Sequence, residues 1–167
     1  MTNDRPYITV LDIDGVLADV HHRVHFIDSK PRQWDAFIKA ASDDLLIPEG
    51  ARIVHDAVNA GYLVILVSGR PERIRKITID WLQRHRIVAA ELYMRKSGDN
   101  RPAHVIKTET LRLLTKRFNI VQFVDDDPQV IRAVNDVRHS LPIRKVVLFQ
   151  ASTPKIVYYG QEIEGET

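Results

Sequence analysis

The 167-residue chain has no cysteine. That excludes disulfides, thiolate catalysis and cysteine-ligated zinc or iron–sulfur centres. No apolar run approaches the roughly 20 residues needed to span a bilayer. The first ten residues, MTNDRPYITV, lack the basic segment and apolar stretch of a signal peptide. The expectation is a cytoplasmic protein without a membrane partner. There is no internal repeat, no low-complexity tract and no G-x-x-x-x-G-K-[ST] phosphate loop. Charge of one sign is not in excess either: 24 basic and 22 acidic residues leave a net charge of +2. A general coat for polyanions is therefore not expected.

What is present suffices for one domain over residues 1–167 with a sizeable core. Basic residues gather locally: Arg84, Arg86, Arg95, Lys96, Arg101 and Lys107 stand against Glu91 and Asp99. Such a stretch suggests an anionic ligand at one place, or else a solvated helix-and-loop surface. Continuous apolar runs at 7–11, 62–67, 92–94, 120–124 and 145–149 are those of strands buried on both faces. Helical periods lie between them. Pro48-Glu49-Gly50 opens one and Asn59-Ala60-Gly61 stops it. Pro71-Glu72 opens a second. A third covers about 103–117 with Ile106, Thr110, Leu113 and Leu114 inward, and Pro128 opens a fourth behind a capping Asp127. The alternation predicts an α/β fold with a five-stranded, mostly parallel sheet and helices on both faces. Residues 18–47 are too long for a βα loop and read as a small inserted cap after the first strand. Residues 151–167 read as an irregular tail.

In such sheets ligands bind beyond the carboxyl ends of the strands. There stand Asp12-Ile13-Asp14-Gly15 after the first strand, Ser68-Gly69-Arg70 after the second and Asp125-Asp126-Asp127 after the fourth. Lys107 opens the helix feeding that fourth strand. Carboxylates gathered at one point repel each other unless a cation intervenes. Oxygen ligands without His or Cys suit Mg2+. Asp12 can attack phosphorus and form an aspartyl-phosphate. Asp14 can protonate the leaving oxygen and later deprotonate the attacking water. Ser68 and the N–H groups of the turn after it can hold phosphate oxygens at a helix N-terminus. Lys107 can neutralise the phosphoryl group and Asp12, while Asp125 and Asp126 complete a metal site.

Asp12-x-Asp14-Gly15-Val16-Leu17, Ser68, Lys107 and Asp125-Asp126 resemble the four motifs of the haloacid dehalogenase (HAD) superfamily, in order and over most of the chain. Val16 stands where the family commonly has Thr. The resemblance implies a three-layer Rossmannoid fold and Mg2+ bound by Asp12, the backbone carbonyl of Asp14 and one Asp of the 125–126 pair, here expected to be Asp126. Val67-Ser68-Gly69-Arg70 and Met94-Arg95-Lys96-Ser97-Gly98-Asp99-Asn100-Arg101, followed by Val105-Ile106-Lys107, are similar to the phosphatase half of bacteriophage polynucleotide kinase/3′-phosphatases. That likeness implies substrate contacts for Gly69 and Arg70, and contacts at the rim for Arg95 and Arg101. A kinase half is not expected, since the phosphate loop is missing.

The expected activity is a phosphomonoester hydrolase acting on a nucleic-acid 3′ end. A free nucleotide or a small phosphorylated metabolite are alternative substrates. Arg95 and Arg101 add charge beyond what one phosphoryl group needs, as a nucleotide chain would require. A phosphoacceptor receiver domain would carry its acidic pair after the first strand and its acceptor after the middle one, the reverse of the order here. A catalytically silent binding scaffold would not need every functional group present. His21, His22 and His25 read as a solvated cap without a carboxylate framework, not as zinc ligands. Trp34 and Phe37 read as packing within the cap, with substrate stacking by Trp34 the alternative. Trp81 reads as core, and Arg73, Arg75 and Lys76 as the wet face of a helix. Oligomeric state is not legible.

Overall fold

The alternation of apolar runs and helical periods is realised in a computed structural model describing residues 4–151, 155–158 and 161–163. The first strand, β1 (Tyr7–Leu11), lies inside the sheet, which it shares with β4 (Leu63–Pro71) on one side and β6 (Asn119–Asp125) on the other. Before β4 come β2 (Ala18–Asp19), α1 (His21–Asp28), α2 (Trp34–Lys39), β3 (Leu45–Leu46) and α3 (Pro48–Asn59). Then follow α4 (Arg75–Arg84), β5 (Glu91–Arg95), α5 (Ala103–Leu114) and, after β6, α6 (Pro128–Asp136) and β7 (Ile143–Leu148). The order β5-β4-β1-β6-β7 is parallel throughout.

Alternating strand residues feed two cores, as the period of two demands. Ile8, Val10, Ile65, Val67, Phe123 and Val146 pack under α5 and α6. Leu11, Val64, Leu66, Val124 and Val147 pack under α3 and α4, together with Trp81. Each fully buried aliphatic or aromatic side chain contributes about 1.5–3 kcal/mol. Burial on both faces is why these strands read as continuous apolar runs.

Three features differ from the sequence expectation. Two short strands, β8 (Lys155–Tyr158) and β9 (Gln161–Ile163), continue the sheet antiparallel beyond β7, so these seven residues of the expected irregular tail are regular. Its Lys-Ile-Val-Tyr run has the β-branched and aromatic residues that strands favour. Pro71 ends β4, paired with Arg95, and does not open a helix. A 3-10 turn at 72–74 intervenes before α4. The inward face of α5 is Lys107, Leu111 and Leu114, whereas Leu113 is 58% exposed. The buried lysine takes the place in the stripe where an apolar residue was sought.

Residues 18–46 form the insertion. It is closed at its root by the antiparallel pair β2–β3 and by the Ile47 N–H donating to the Leu17 carbonyl at 2.8 Å. Gly50 fits beneath that root, since a Cβ there would lie 1.8 Å from the Val16 carbonyl oxygen. Ile38 and Ala41 of the insertion join Ile74 and Met94 in a third small apolar cluster. The insertion is thereby seated on the β4–β5 end of the sheet.

Candidate functional site

Parallel pairing brings the ends of β1, β4 and β6 to one edge, with Leu11 level with both Leu66 and Val124. Asp12 follows directly and is buried. One carboxylate oxygen accepts from the Ile13 N–H at 2.7 Å, and the other pairs with Lys107 Nζ at 2.7 Å. The same Nζ reaches Asp125 at 2.7 Å. Asp125 is fully buried, and its second oxygen accepts from the Asp127 N–H at 3.0 Å. Asp126 stands beside them at the surface. Carboxylate oxygens of Asp12, Asp125 and Asp126 lie within 4.8 Å of one another.

Three acids against one lysine leave this cluster negative. Burial, with Asp125 and Asp14 adding to it and Lys107 opposing, pushes Asp12 up to about 7. Asp126 rises to about 6, through partial desolvation and then the Asp12 charge. Burial works against the charge on Lys107, but Asp12 and Asp125 outweigh it and its pKa is raised. Gly15 makes the arrangement possible. It takes φ +78°, and a Cβ there would fall 1.9 Å from Asp126 Oδ2. Any other residue would both strain the turn and displace the carboxylate.

Asp14 belongs to a second cluster. Its Oδ1 accepts from Arg23 Nη2 at 3.0 Å and from Arg70 Nε at 2.8 Å. Asp44, fully buried, pairs with Arg23 Nε at 2.7 Å and with Arg70 Nη2 at 2.7 Å. Its backbone carbonyl accepts from Trp81 Nε1 at 2.8 Å, and His22 Nε2 lies 2.8 Å from its carboxylate. Arg23 and Asp44 were not anticipated from the sequence. They come from opposite ends of the insertion, and only the β2–β3 root brings them together. The histidines correct the expectation that no carboxylate accompanies them, since His21 also pairs with Asp19 at 2.6 Å. Among the described residues the metal-like cluster nevertheless lies elsewhere.

Arg70 is 3% exposed and mainly holds Asp14 and Asp44; its Nη1 has no partner among the described residues. Ser68 is buried, and its Oγ accepts from the Arg70 N–H at 3.2 Å. Ser68 and Gly69 lie within β4 and not at a helix N-terminus, which corrects the anion-site geometry expected of them. The Gly69 carbonyl accepts from Arg95 Nε at 3.2 Å. Arg95 Nη1 donates to the Asp99 and Arg101 carbonyls at 3.0 and 2.7 Å. Arg101 is paired with Asp99 and with Glu109, each at 2.8 Å. Arg101 is therefore not the unmatched charge that the sequence suggested, since Asp99 and Glu109 neutralise it. Arg95 ties down the 96–102 loop through neutral carbonyls, which do not cancel its charge. Asp127 caps α6 as expected, accepting from the Gln129 N–H.

Beside Asp14 opens a cleft of about 490 Å3, with Trp34, Phe37 and Ile38 of the insertion on one wall and the Arg95–Ala103 segment on the other. No helix among the described residues is long and apolar enough to cross a membrane.

The family model described as the polynucleotide kinase PNKP phosphatase domain matches residues 6–146. A chain of a Pnkp1/Rnl/Hen1 complex is 29% identical, with a TM-score of 0.68 over 84% of this chain and 45% of that one. A chain of the Pnkp1/Rnl/Hen1 RNA repair complex is 27% identical, with a TM-score of 0.66 over 86% of this chain and 42% of that one. The present chain thus spans less than half the length of both. The class C acid phosphatase from Bacillus anthracis, 17% identical with a TM-score of 0.65 over 90% of this chain and 68% of that one, shares the fold. No curated protein matches the chain significantly.

Proposed function

The chain belongs to the family of the polynucleotide kinase PNKP phosphatase domain, a HAD phosphatase family, and from this we propose that it removes 3′-phosphates from nucleic-acid ends through an aspartyl-phosphate on Asp12. The observation that carries the proposal is the pairing of two carboxylates in different states of engagement. Asp12 is presented at the sheet edge by the Ile13 N–H and Lys107, while Asp14 is held by two arginines beside the cleft.

Three clustered carboxylates with a single lysine, and oxygen donors alone, fit a hard divalent cation. Asp12, Asp126 and the Asp14 carbonyl would hold Mg2+, which supplies charge to the phosphoryl oxygens. Asp125, with both oxygens engaged by Lys107 and the Asp127 N–H, instead orients the lysine. In the first step an Asp12 carboxylate oxygen bonds to phosphorus and the bond to the leaving oxygen breaks. Asp14 donates the proton that the leaving oxygen takes up. In the second, Asp14 accepts a proton from water as that water attacks phosphorus, and Asp12 is released. Arg23 and Arg70 fix the Asp14 carboxylate for both transfers. The unpartnered Nη1 of Arg70 and the Ser68 hydroxyl are the groups assigned to the phosphoryl oxygens.

A mononucleotide is the second reading. The cleft has the volume of a small-ligand site, and Arg101 lacks the free charge a longer chain would use. Phosphate release from a 3′-phosphorylated oligonucleotide, nucleoside 3′-monophosphates and sugar phosphates, with and without Mg2+, tests the proposal. The oligonucleotide should give the highest kcat/KM, and chelator should remove activity on all of them. A preference for sugar phosphates, or full activity in chelator, would overturn it.

A further inference from the structure

The cleft beside Asp14 has two unlike walls. Trp34, Phe37 and Ile38 follow the i, i+3, i+4 spacing of one helix face and line it together. Phe37 is engaged on two sides. The Arg23 guanidinium lies 4.2 Å from its ring centroid, and the Trp34 ring meets it edge-on at 6.0 Å and 89°. Trp34 itself lines the cleft and is 50% exposed, with the Arg32 guanidinium 6.0 Å from its ring centroid. Its helix is fixed from outside by the Asp35–Arg73 pair at 2.7 Å. The same cleft is lined by Arg95 and residues 99–103, a segment drawn onto Gly69 by Arg95. A half-exposed indole sharing a cleft with a tethered polar segment is a receptor for a flat, polarisable, polar-edged ring.

Resting on the function proposed above, we infer that Trp34 is the stacking surface for the nucleobase of the terminal nucleotide, the one whose phosphate Asp12 attacks. Phe37 is the buttress that sets the plane of the indole. Trp34 touches neither the phosphoryl group nor Asp14. It discriminates substrates with a base from phosphate esters without one. Because Arg23 contacts both Phe37 and Asp14, base and leaving oxygen are referred to a common anchor.

The test compares 3′-phosphorylated oligonucleotides ending in a normal nucleotide with the same oligonucleotides ending in an abasic 3′-phosphate. Wild type, Trp34→Ala and Trp34→Phe are assayed as full chains with Mg2+. Wild type should prefer the base-bearing end. Trp34→Ala should cut that preference, read as the ratio of kcat/KM values, by roughly 5- to 100-fold, the range of one base–aromatic stack. The loss should lie in KM more than in kcat, and Trp34→Phe should retain most of the preference. An equal fall on both substrates in Trp34→Ala would overturn the inference, as would an unchanged ratio. Those results would leave the phosphatase proposal standing. If wild type hydrolyses neither oligonucleotide but does hydrolyse sugar phosphates, both proposals fall together.

Discussion

Two charge clusters lie side by side at the sheet edge, and their balances are opposite. Asp12, Asp125 and Asp126 gather about one lysine, and desolvation, with repulsion between the carboxylates added to it, raises the pKa values of Asp12 and Asp126. Asp14 and Asp44 share two arginines, Arg23 and Arg70, and the cluster is neutral by itself. The first is electrostatically unfinished. The second is balanced, and its two arginines hold one oxygen of the Asp14 carboxylate. On the proposed function both clusters take part in the reaction, the first at phosphorus and the second by placing the carboxylate that moves the proton.

Substitutions can break this contrast. The largest effect is expected from Asp12→Asn, which keeps the shape but cannot form the acyl-phosphate. Turnover should fall by at least about 10⁴-fold in a well-folded protein. Substantial residual phosphatase activity in that variant would remove Asp12 from the nucleophile role. Asp14→Asn should slow turnover by roughly 10²–10⁴-fold, with a smaller loss on esters whose leaving group needs no proton. A uniform loss across leaving groups would deny Asp14 its proton.

The neutral cluster should answer in stability. Arg23→Ala leaves Asp44 buried with one partner fewer, and should destabilise the fold by about 3–5 kcal/mol in denaturant titration. Arg23→Ala combined with Asp44→Ala should recover part of that loss, since no lone charge remains. Additive losses would show that the two residues do not act as a unit.

The unfinished cluster should answer to pH and metal. Both Asp12 and Asp126 bind protons more tightly in the folded state than their ordinary value near 3.8. Between that value and about 7 the folded state therefore holds more protons than the unfolded one. The stability they contribute is present at low pH and is lost as pH rises through this window. A divalent cation bound by these carboxylates, as proposed, should reverse the loss. Saturating Mg2+ should raise Tm by about 5–10 °C near pH 7.5 and hardly at all near pH 4.5. Asp126→Asn should flatten that dependence; an unaltered Mg2+ response would exclude Asp126 as a ligand. The smallest effect is expected from Arg101→Ala. Its guanidinium is half exposed and already paired with Asp99 and Glu109, so kcat/KM on an oligonucleotide should change by less than about threefold and stability by at most about 1 kcal/mol. A tenfold loss on oligonucleotides alone would restore it as a phosphate contact.

The two clusters also differ in how openly the sequence displays them. Asp12, Lys107, Asp125 and Asp126 sit at ends of regular elements, where alternation of strand and helix dictates that they meet. Arg23 and Asp44 belong to an insertion without strong periodicity, and their meeting depends on a two-residue ribbon that no pattern announces. Arg70 was located but its occupation was not, because its partner Asp44 was missing from the picture. Arg101 looked like free charge because six basic residues outnumber Glu91 and Asp99 in that stretch, while Glu109, eight residues on, lies outside it. The parallel sheet and its helices were legible throughout, since burial on both faces leaves long apolar runs. The added strands at 155–158 and 161–163 are short and stand outside the strand–helix alternation, so no pattern announces them.

The closed root of the insertion makes it exchangeable. Residues 18–19 and 45–46 leave and re-enter the fold side by side, so a loop of another length could be grafted between them without moving β1 or α3. Such a transplant would redraw the mouth of the cleft, and with it the range of admissible substrates, while Asp12, Lys107 and Asp125 stayed in place. It would also delete both Arg23 and Asp44. A working chimera must therefore import an arginine of its own to face Asp14 and a carboxylate to hold Arg70, and that paired requirement decides which loops the scaffold can accept.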